Sequence, residues 1–244
     1  MLGKLSDSQQ PEKQEPQMDP QATALINAIR ERRKDDPLVG AKLAAKEVLQ
    51  RLLDGMKDAK GVHIESLLTA LGALAGYACQ ANLRSQALAK SLPATAPFQV
   101  IGTKDGQQYF FGEPLNNALV WDQYSVWNLA GGAAQHVGAK DFPDPNELFQ
   151  YTASVLGSEQ FCIPRLPDNH QPADTPLNYL QTLWPILFPT VKLFCPKPVD
   201  WPILYSFAIQ EAIYAGTESI NPELAFRIAM ESAIPMSKVD LANS

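Results

Sequence analysis

Apolar residues recur every three or four positions through most of this chain. Between residues 38 and 56 they fall at Leu38, Ala41, Ala45, Val48, Leu49, Leu52, Leu53 and Met56, with Lys42, Lys46, Glu47 and Arg51 elsewhere on the circumference. That spacing is the period of an α-helix with one buried face. Helix starts are marked by a capping residue followed by proline at Asp19-Pro20, Asp36-Pro37, Asp144-Pro145, Thr175-Pro176 and Asn221-Pro222. The capping side chain accepts a first-turn N–H, while proline at the first helical position needs no donor and already has helical φ. In Asp144-Pro-Asn-Glu147 the glutamate completes a variant capping box, and Gly157 supplies a left-handed stop. Further helices are expected over about 120–137, about 201–215, closing at Gly216, and 222–232.

The stretch from Ser66 to Gln80 carries no charged side chain. On a helix, Ile64, Leu67, Leu68, Leu71, Ala75 and Ala78 share one face, and Thr69, Gly72, Gly76 and Cys79 form a neighbouring face of small residues. A bilayer span needs about 20 apolar residues. This run is shorter and is flanked by His63 and Glu65 on one side and Gln80, Asn82 and Arg84 on the other, so no membrane role is expected. Each mid-helix glycine costs about 1 kcal/mol relative to alanine. Gly72 and Gly76 therefore imply the close approach of another backbone, from the same subunit or across a homodimer, or a small ligand held against that face.

One segment breaks the helical pattern. In F98-Q-V-I-G-T-K-D-G-Q-Q-Y-F-F-G-E113, β-branched and aromatic runs flank Asp105-Gly106, a strong hairpin signal. With Asp105-Gly106 as a two-residue loop, Val100, Gly102, Tyr109 and Phe111 share one face, and Ile101, Thr103 and Phe110 the other. Gln160-Phe-Cys-Ile163 is a candidate third strand. Prolines between Pro164 and Pro198, including Trp184-Pro185 and Phe188-Pro189, predict short turns and extended connections there. The fold class is mainly α, a multi-helix domain around a central small-residue helix at about 63–90, with one β-hairpin at about 98–112. A flexible polar tail is expected over 1–18, then one domain over 19–244, which the Pro/Ala linker Ser91–Pro97 divides into lobes at 19–90 and 98–244.

Composition narrows the function classes. Hydrophobic content of 45% and charged content of 19% suit an ordered domain. The net charge is −6, and the basic residues cluster only in Arg30-Glu-Arg-Arg-Lys34, so nucleic acid is not an expected partner. Cys79, Cys162 and Cys195 are too scattered for a disulfide framework or a thiolate zinc site, and no secretory signal precedes them. Reduced thiols and a cytoplasmic location follow. His63, His136 and His170 lack ligand partners at helical metal-site spacing, and Gly131-Gly132 matches no phosphate cradle, so neither metal nor cofactor is expected. Nucleophile signatures such as G-x-S-x-G are missing as well.

The richest mixture of aromatic and polar groups follows the hairpin, in Glu113, Asn117, Trp121 and Asp122. Those aromatics also suit the covering of a hairpin base on a helical core. The irregular loop over 161–170 adds Arg165 and His170, with Arg165 placed to meet a substrate carboxylate or Glu113. Cys162, close to Arg165, is placed for a lowered pKa, with no base identified. These six residues are the candidate ligand-binding set. The expected function is a non-catalytic cytoplasmic protein acting through a protein partner, a homodimer contact or a small ligand. The alternative is a hydrolase or transferase in which Glu113, Asp122, Arg165 and His170 converge between the hairpin exit and the 161–170 loop.

Overall fold

The computed structural model describes residues 20–104 and 106–241. The expected tail over 1–18, the Asp19 cap and Asp105 lie outside the described residues. Among the described residues the chain is mainly α, 63% helical, with eight α-helices longer than a single turn and small antiparallel strand pairs. Helices α1 (Pro20–Arg32) and α2 (Val39–Met56) lead through a two-residue ladder, β1 (Lys57–Asp58) with β2 (Gly61–Val62), into α3 (Ile64–Ala89). The hairpin β3 (Gln99–Gly102) and β4 (Gln108–Phe111) follows, then the single turn α4 (Glu113–Asn116) and a π-helical turn over Asn117–Trp121. After these come α5 (Val126–His136), α6 (Pro145–Ser154), α7 (Pro176–Phe194), α8 (Asp200–Ala215) and α9 (Pro222–Met236). No helix among the described residues is long and apolar enough to cross a membrane.

The capping residues act as their chemistry dictates. Asp144, Thr175 and Asn221 accept first-turn N–H groups of α6, α7 and α9. Glu147 does not close a capping box, because its carboxylate is drawn to Arg165. Asp36-Pro37 forms a turn, its Oδ1 accepting the Leu38 N–H, and α2 starts two residues later than expected. The helix expected over 120–137 is broken at Asp122–Ser125, where the Ser125 hydroxyl donates to the Val120 carbonyl and accepts the Asn128 N–H.

The prolines of α7 do not break it. Pro185 and Pro189 are exposed, so the carbonyls of Gln181 and Pro185, which lose their helical N–H partners, lie on the side where water can donate to them. The opposite stripe, Leu180, Trp184, Leu187 and Val191, is buried. Trp184 meets Tyr77 edge-on at 4.7 Å and stacks on Phe188 at 5.0 Å, contacts that outweigh the local preference for extended backbone before proline.

The core forms around α3, which is covered by α7, α8 and α9. Leu68, Leu71, Leu74, Ala75 and Cys79 are fully enclosed. The glycine face meets α9 of the same chain: a Cβ at Gly72 would lie 3.0 Å from the Ala229 Cα, and one at Gly76 only 2.8 Å from the Ala233 Cα, with the carbonyl oxygens closer still. Only glycine admits two helices at that separation. A second copy of the chain would therefore have to use a different surface.

The hairpin departs from its expected register by one residue. Val100 pairs with Phe110 and Ile101 with Tyr109, the Thr103 N–H donates to the Gln107 carbonyl, and the Thr103 carbonyl accepts the Gly106 N–H. The connection between Thr103 and Gln107 thus spans three residues, with Gly106 at φ +87°. That is the loop in which glycine takes the left-handed position and adds a bulge. The slip moves Phe110 to the Val100 face and Tyr109 to the Ile101 face. Residues 160–163 form a turn rather than a third strand. The hairpin's other neighbour is the C-terminal segment: the Phe110 N–H donates to the Lys238 carbonyl at 2.9 Å, and Tyr109 bridges Val239. Gln80 of α3 pins that segment, its Nε2 donating to the Ser237 and Val239 carbonyls at 2.8 and 3.0 Å.

Candidate functional site

A cavity of about 440 Å³ opens between β4, the 157–163 turn and the start of α7. Its walls are Tyr109, Phe161, Cys162, Ile163, Leu177 and Val239. Gln107, Ser158, Glu159 and Thr175 add hydrogen-bonding groups. The local structure explains the shape. Gly157 takes φ +72° to turn the chain after α6, the Tyr109 ring meets Phe161 edge-on at 4.9 Å, and the Tyr109 hydroxyl donates to Gln107 Oε1 at 2.6 Å. Thr175 caps α7 by accepting the Asn178 N–H. The result is a mostly apolar concavity with a few orienting polar groups, of the size that holds a small organic molecule.

Burial in this wall favours the protonated form of the Cys162 thiol. Burial pushes Cys162 up to about 12, against the lowering expected from Arg165. Burial has the same effect on Cys79 and Cys195, each raised to about 12, and all three cysteines are free.

Arg165 is occupied elsewhere. Its guanidinium forks onto the Glu147 carboxylate, approaches Glu231 at 3.1 Å and lies over the Tyr151 ring at 3.9 Å. The Arg165 backbone N–H also donates to Glu231 Oε2 at 2.6 Å, and Arg227 completes the cluster at 3.0 Å. This joins the 161–165 segment to α6 and α9, and it is an internal ion pair rather than a substrate anchor. Glu231 has a side chain only 4% exposed, so losing a cation leaves a buried charge undercompensated. Arg165→Leu is expected to cost about 2–3 kcal/mol, less than a wholly buried pair because the guanidinium is partly solvated. Urea denaturation checks this, and an unchanged midpoint would show that the cluster contributes no net stability.

His170 joins a second cluster. Its Nδ1 lies 2.7 Å from Glu65 Oε1, His63 Nε2 lies 3.1 Å from Glu65 Oε2, and His63 Nδ1 lies 2.8 Å from Ser66 Oγ. Hydroxyl, imidazole and carboxylate are thus in line, the composition of a nucleophile relay. Yet Ser66 is buried and already accepts the Ala173 N–H at 2.9 Å, so the string clasps the 168–174 loop to the start of α3. Among the described residues no group of three or more His, Cys, Asp or Glu side chains is arranged to hold a metal ion.

The remaining candidates lie along the segment after the hairpin. Glu113 is exposed at the start of α4, Asn117 is half-buried with its carbonyl accepting the Asp122 N–H, and Trp121 is largely exposed. Asp122 lines a separate groove of about 340 Å³ with Tyr124, Val199 and Ile203. None of the six residues lines the cavity: Arg165 borders a crevice that shares Phe161 and Ile163 with it, His170 pairs with Glu65, and only Asp122 lines the groove, so the six do not form one site.

Two functional-looking groups went unmarked in the sequence. Lys238 is 1% exposed, donates to Asn116 Oδ1 at 3.2 Å, and lies 5.2 and 5.4 Å from the Phe111 and Phe149 ring centres. Burial, with no carboxylate partner among the described residues, lowers its pKa to about 7. Asn82 is also buried, and it lines the Asp122 groove. No spacing rule exposes either, because a lysine after the last helix and an asparagine on a long helix both read as surface residues. No protein family, curated protein or solved structure matches the chain.

Proposed function

We propose that this chain is a non-catalytic binding protein that holds a small apolar or amphipathic molecule between β4, the 157–163 turn and α7. The observation that carries the reading is the 440 Å³ cavity walled by Tyr109, Phe161, Ile163, Leu177 and Val239, with Gln107, Ser158 and Thr175 available to orient a polar end. Its elements are held independently of any ligand, by the Tyr109–Val239 bridge, the Gln80 clamp and the Arg165 cluster. Such preorganisation lowers the ordering cost of binding. Three free cysteines support a reducing, cytoplasmic setting.

Leu177 is half-buried at the cavity wall, so a larger side chain there narrows the space without opening the core. Leu177→Trp is expected to weaken binding of the neutral dye Nile red by tenfold or more while leaving the thermal midpoint within a few degrees. Equal dye affinity in the two folded proteins would refute the assignment of this cavity.

A further inference from the structure

We propose that charging of the Lys238 side chain releases the segment over 237–241 from the hairpin and opens the cavity wall it forms, so that proton uptake gates the binding site. That a ligand is gated rests on the cavity reading above, whereas release of the segment does not depend on it. After α9 this segment runs as a strap between α3 and β4. The Phe110 N–H donates to the Lys238 carbonyl at 2.9 Å, Gln80 Nε2 reaches the Ser237 and Val239 carbonyls, and Tyr109 bridges Val239. Val239 also lines the cavity. Freeing the strap thus removes that wall and leaves the α3–α9 crossing at Gly72 and Gly76 intact.

The Lys238 side chain opposes the docking of its own strap. It is 1% exposed and inserted between α4, β4 and α6, where an ammonium meets a neutral acceptor, Asn116 Oδ1, at 3.2 Å. The rings of Phe111 and Phe149, at 5.2 and 5.4 Å, are not titratable and offer a cation only a weak attraction. From α3 comes the Cys79 thiol, held protonated by its own burial, and the nearby Asp240 carboxylate is paired with Arg84 at 3.3 Å. No carboxylate forms an ion pair with Lys238 among the described residues. A buried charge so poorly matched is far less stable than the same charge in water, whereas the neutral amine is accommodated.

Burial accordingly lowers the Lys238 pKa to about 7 in the docked strap, against an ordinary 10.5 once the side chain is free. Between those values the docked state binds fewer protons than the released state, so release becomes more favourable as pH falls and the gain levels off below about 7. From pH 8 to pH 6 the ratio of released to docked strap rises about tenfold.

Backbone amide hydrogen exchange on the intact chain tests this, read as protection factors so that the intrinsic pH dependence of exchange cancels. The Phe110 N–H should be less protected than the Leu71 N–H in the α3 core, and its protection should fall about tenfold from pH 8 to pH 6. In Lys238→Met the Phe110 protection should be higher and independent of pH over the same range. Equal protection at Phe110 and Leu71 at every pH would overturn the proposal, since the strap would then leave only on global unfolding. A pH dependence at Phe110 that survives Lys238→Met would overturn it as well. Nile red reads the cavity: its dissociation should quicken severalfold from pH 8 to pH 6 in the parent chain and stay constant in Lys238→Met. A dye that binds but leaves at a pH-independent rate would refute the gating. Failure of the dye to bind would remove the cavity reading and the gating with it, while the exchange data separately decide the release of the strap.

Discussion

Gly76→Leu is expected to prevent the chain from reaching its native fold. A side chain at this position would enter α9, where the Ala233 Cα stands 2.8 Å from the first added carbon and the carbonyl oxygen closer still. Neither atom belongs to a flexible side chain, so α9 would have to move as a unit. Moving it disturbs Phe226, Met230 and Ile234, all fully buried, and lifts the segment that Gln80 holds beneath the hairpin. Overpacking in an ordinary core costs about 1–3 kcal/mol, and displacement of a whole helix belongs to the exceptional class at about 4–5 kcal/mol or more. That is a large fraction of the roughly 5–15 kcal/mol by which a domain of this kind is stable. Circular dichroism melts of the variant beside Gly132→Leu make the comparison, since a Cβ at Gly132 meets nothing within 4 Å. A folded Gly76→Leu monomer with a near-native midpoint would show that the α3–α9 crossing is not the centre of the fold.

Lys238→Met is expected to stabilise the protein, most at low pH. The ammonium is buried against Phe111 and Phe149 with one neutral acceptor, Asn116, and its pKa falls to about 7 from an ordinary 10.5. The other titratable group felt at this site is the Cys79 thiol, itself buried and influenced by Asp122. Between pH 7 and 10.5 the unfolded chain binds this proton and the folded chain does not. Stability therefore rises with pH across that window, and the full cost of burying the charge is felt below it. Converted at 1.36 kcal/mol per pKa unit, the advantage of methionine is on the order of 4–5 kcal/mol at pH 6, shrinking to roughly 2 kcal/mol at pH 9. The three cysteines act in the opposite sense, because thiols held protonated to about 12 contribute stability that is lost as pH climbs above their ordinary 9. Comparing variant with parent cancels their contribution. Guanidinium denaturation of both proteins from pH 6 to 9 reads the difference, and a pH-independent gap would mean that Lys238 stays charged in its site.

Helix positions were legible in the sequence where local chemistry decides them. Asp144, Thr175 and Asn221 cap because nothing competes for their side chains. Where tertiary contacts compete, local signals lost: Glu147 went to Arg165 instead of its own helix start, and the ring contacts of Trp184 and Phe188 carried α7 through two prolines. The hairpin was legible as an element, but its register was not, since two-residue and three-residue loops both place glycine after aspartate. Gly72 and Gly76 announced a close crossing without naming the helix that makes it.

The candidate site was less legible. Loop position alone suggested that Arg165 and His170 face a ligand, but buried Glu231 and Glu65 claim them, and both carboxylates lie on helices whose spacing reads as partly solvated. The cavity walls come from residues about 130 positions apart, Tyr109 and Val239, joined by a bridge that no local pattern encodes. Asp122 was expected at a ligand site, and the groove that it lines together with Asn82 becomes visible only when α3 and α8 are placed side by side.

The most direct test of the binding reading is an NMR titration with straight-chain primary alcohols from hexanol to dodecanol. An apolar cavity of about 440 Å³ predicts affinity rising about fourfold per added CH₂ until the space is filled, then levelling off. The shifts should be centred on Tyr109, Phe161, Ile163, Leu177 and Val239. Shifts scattered over the surface, or affinity that does not depend on chain length, would contradict it.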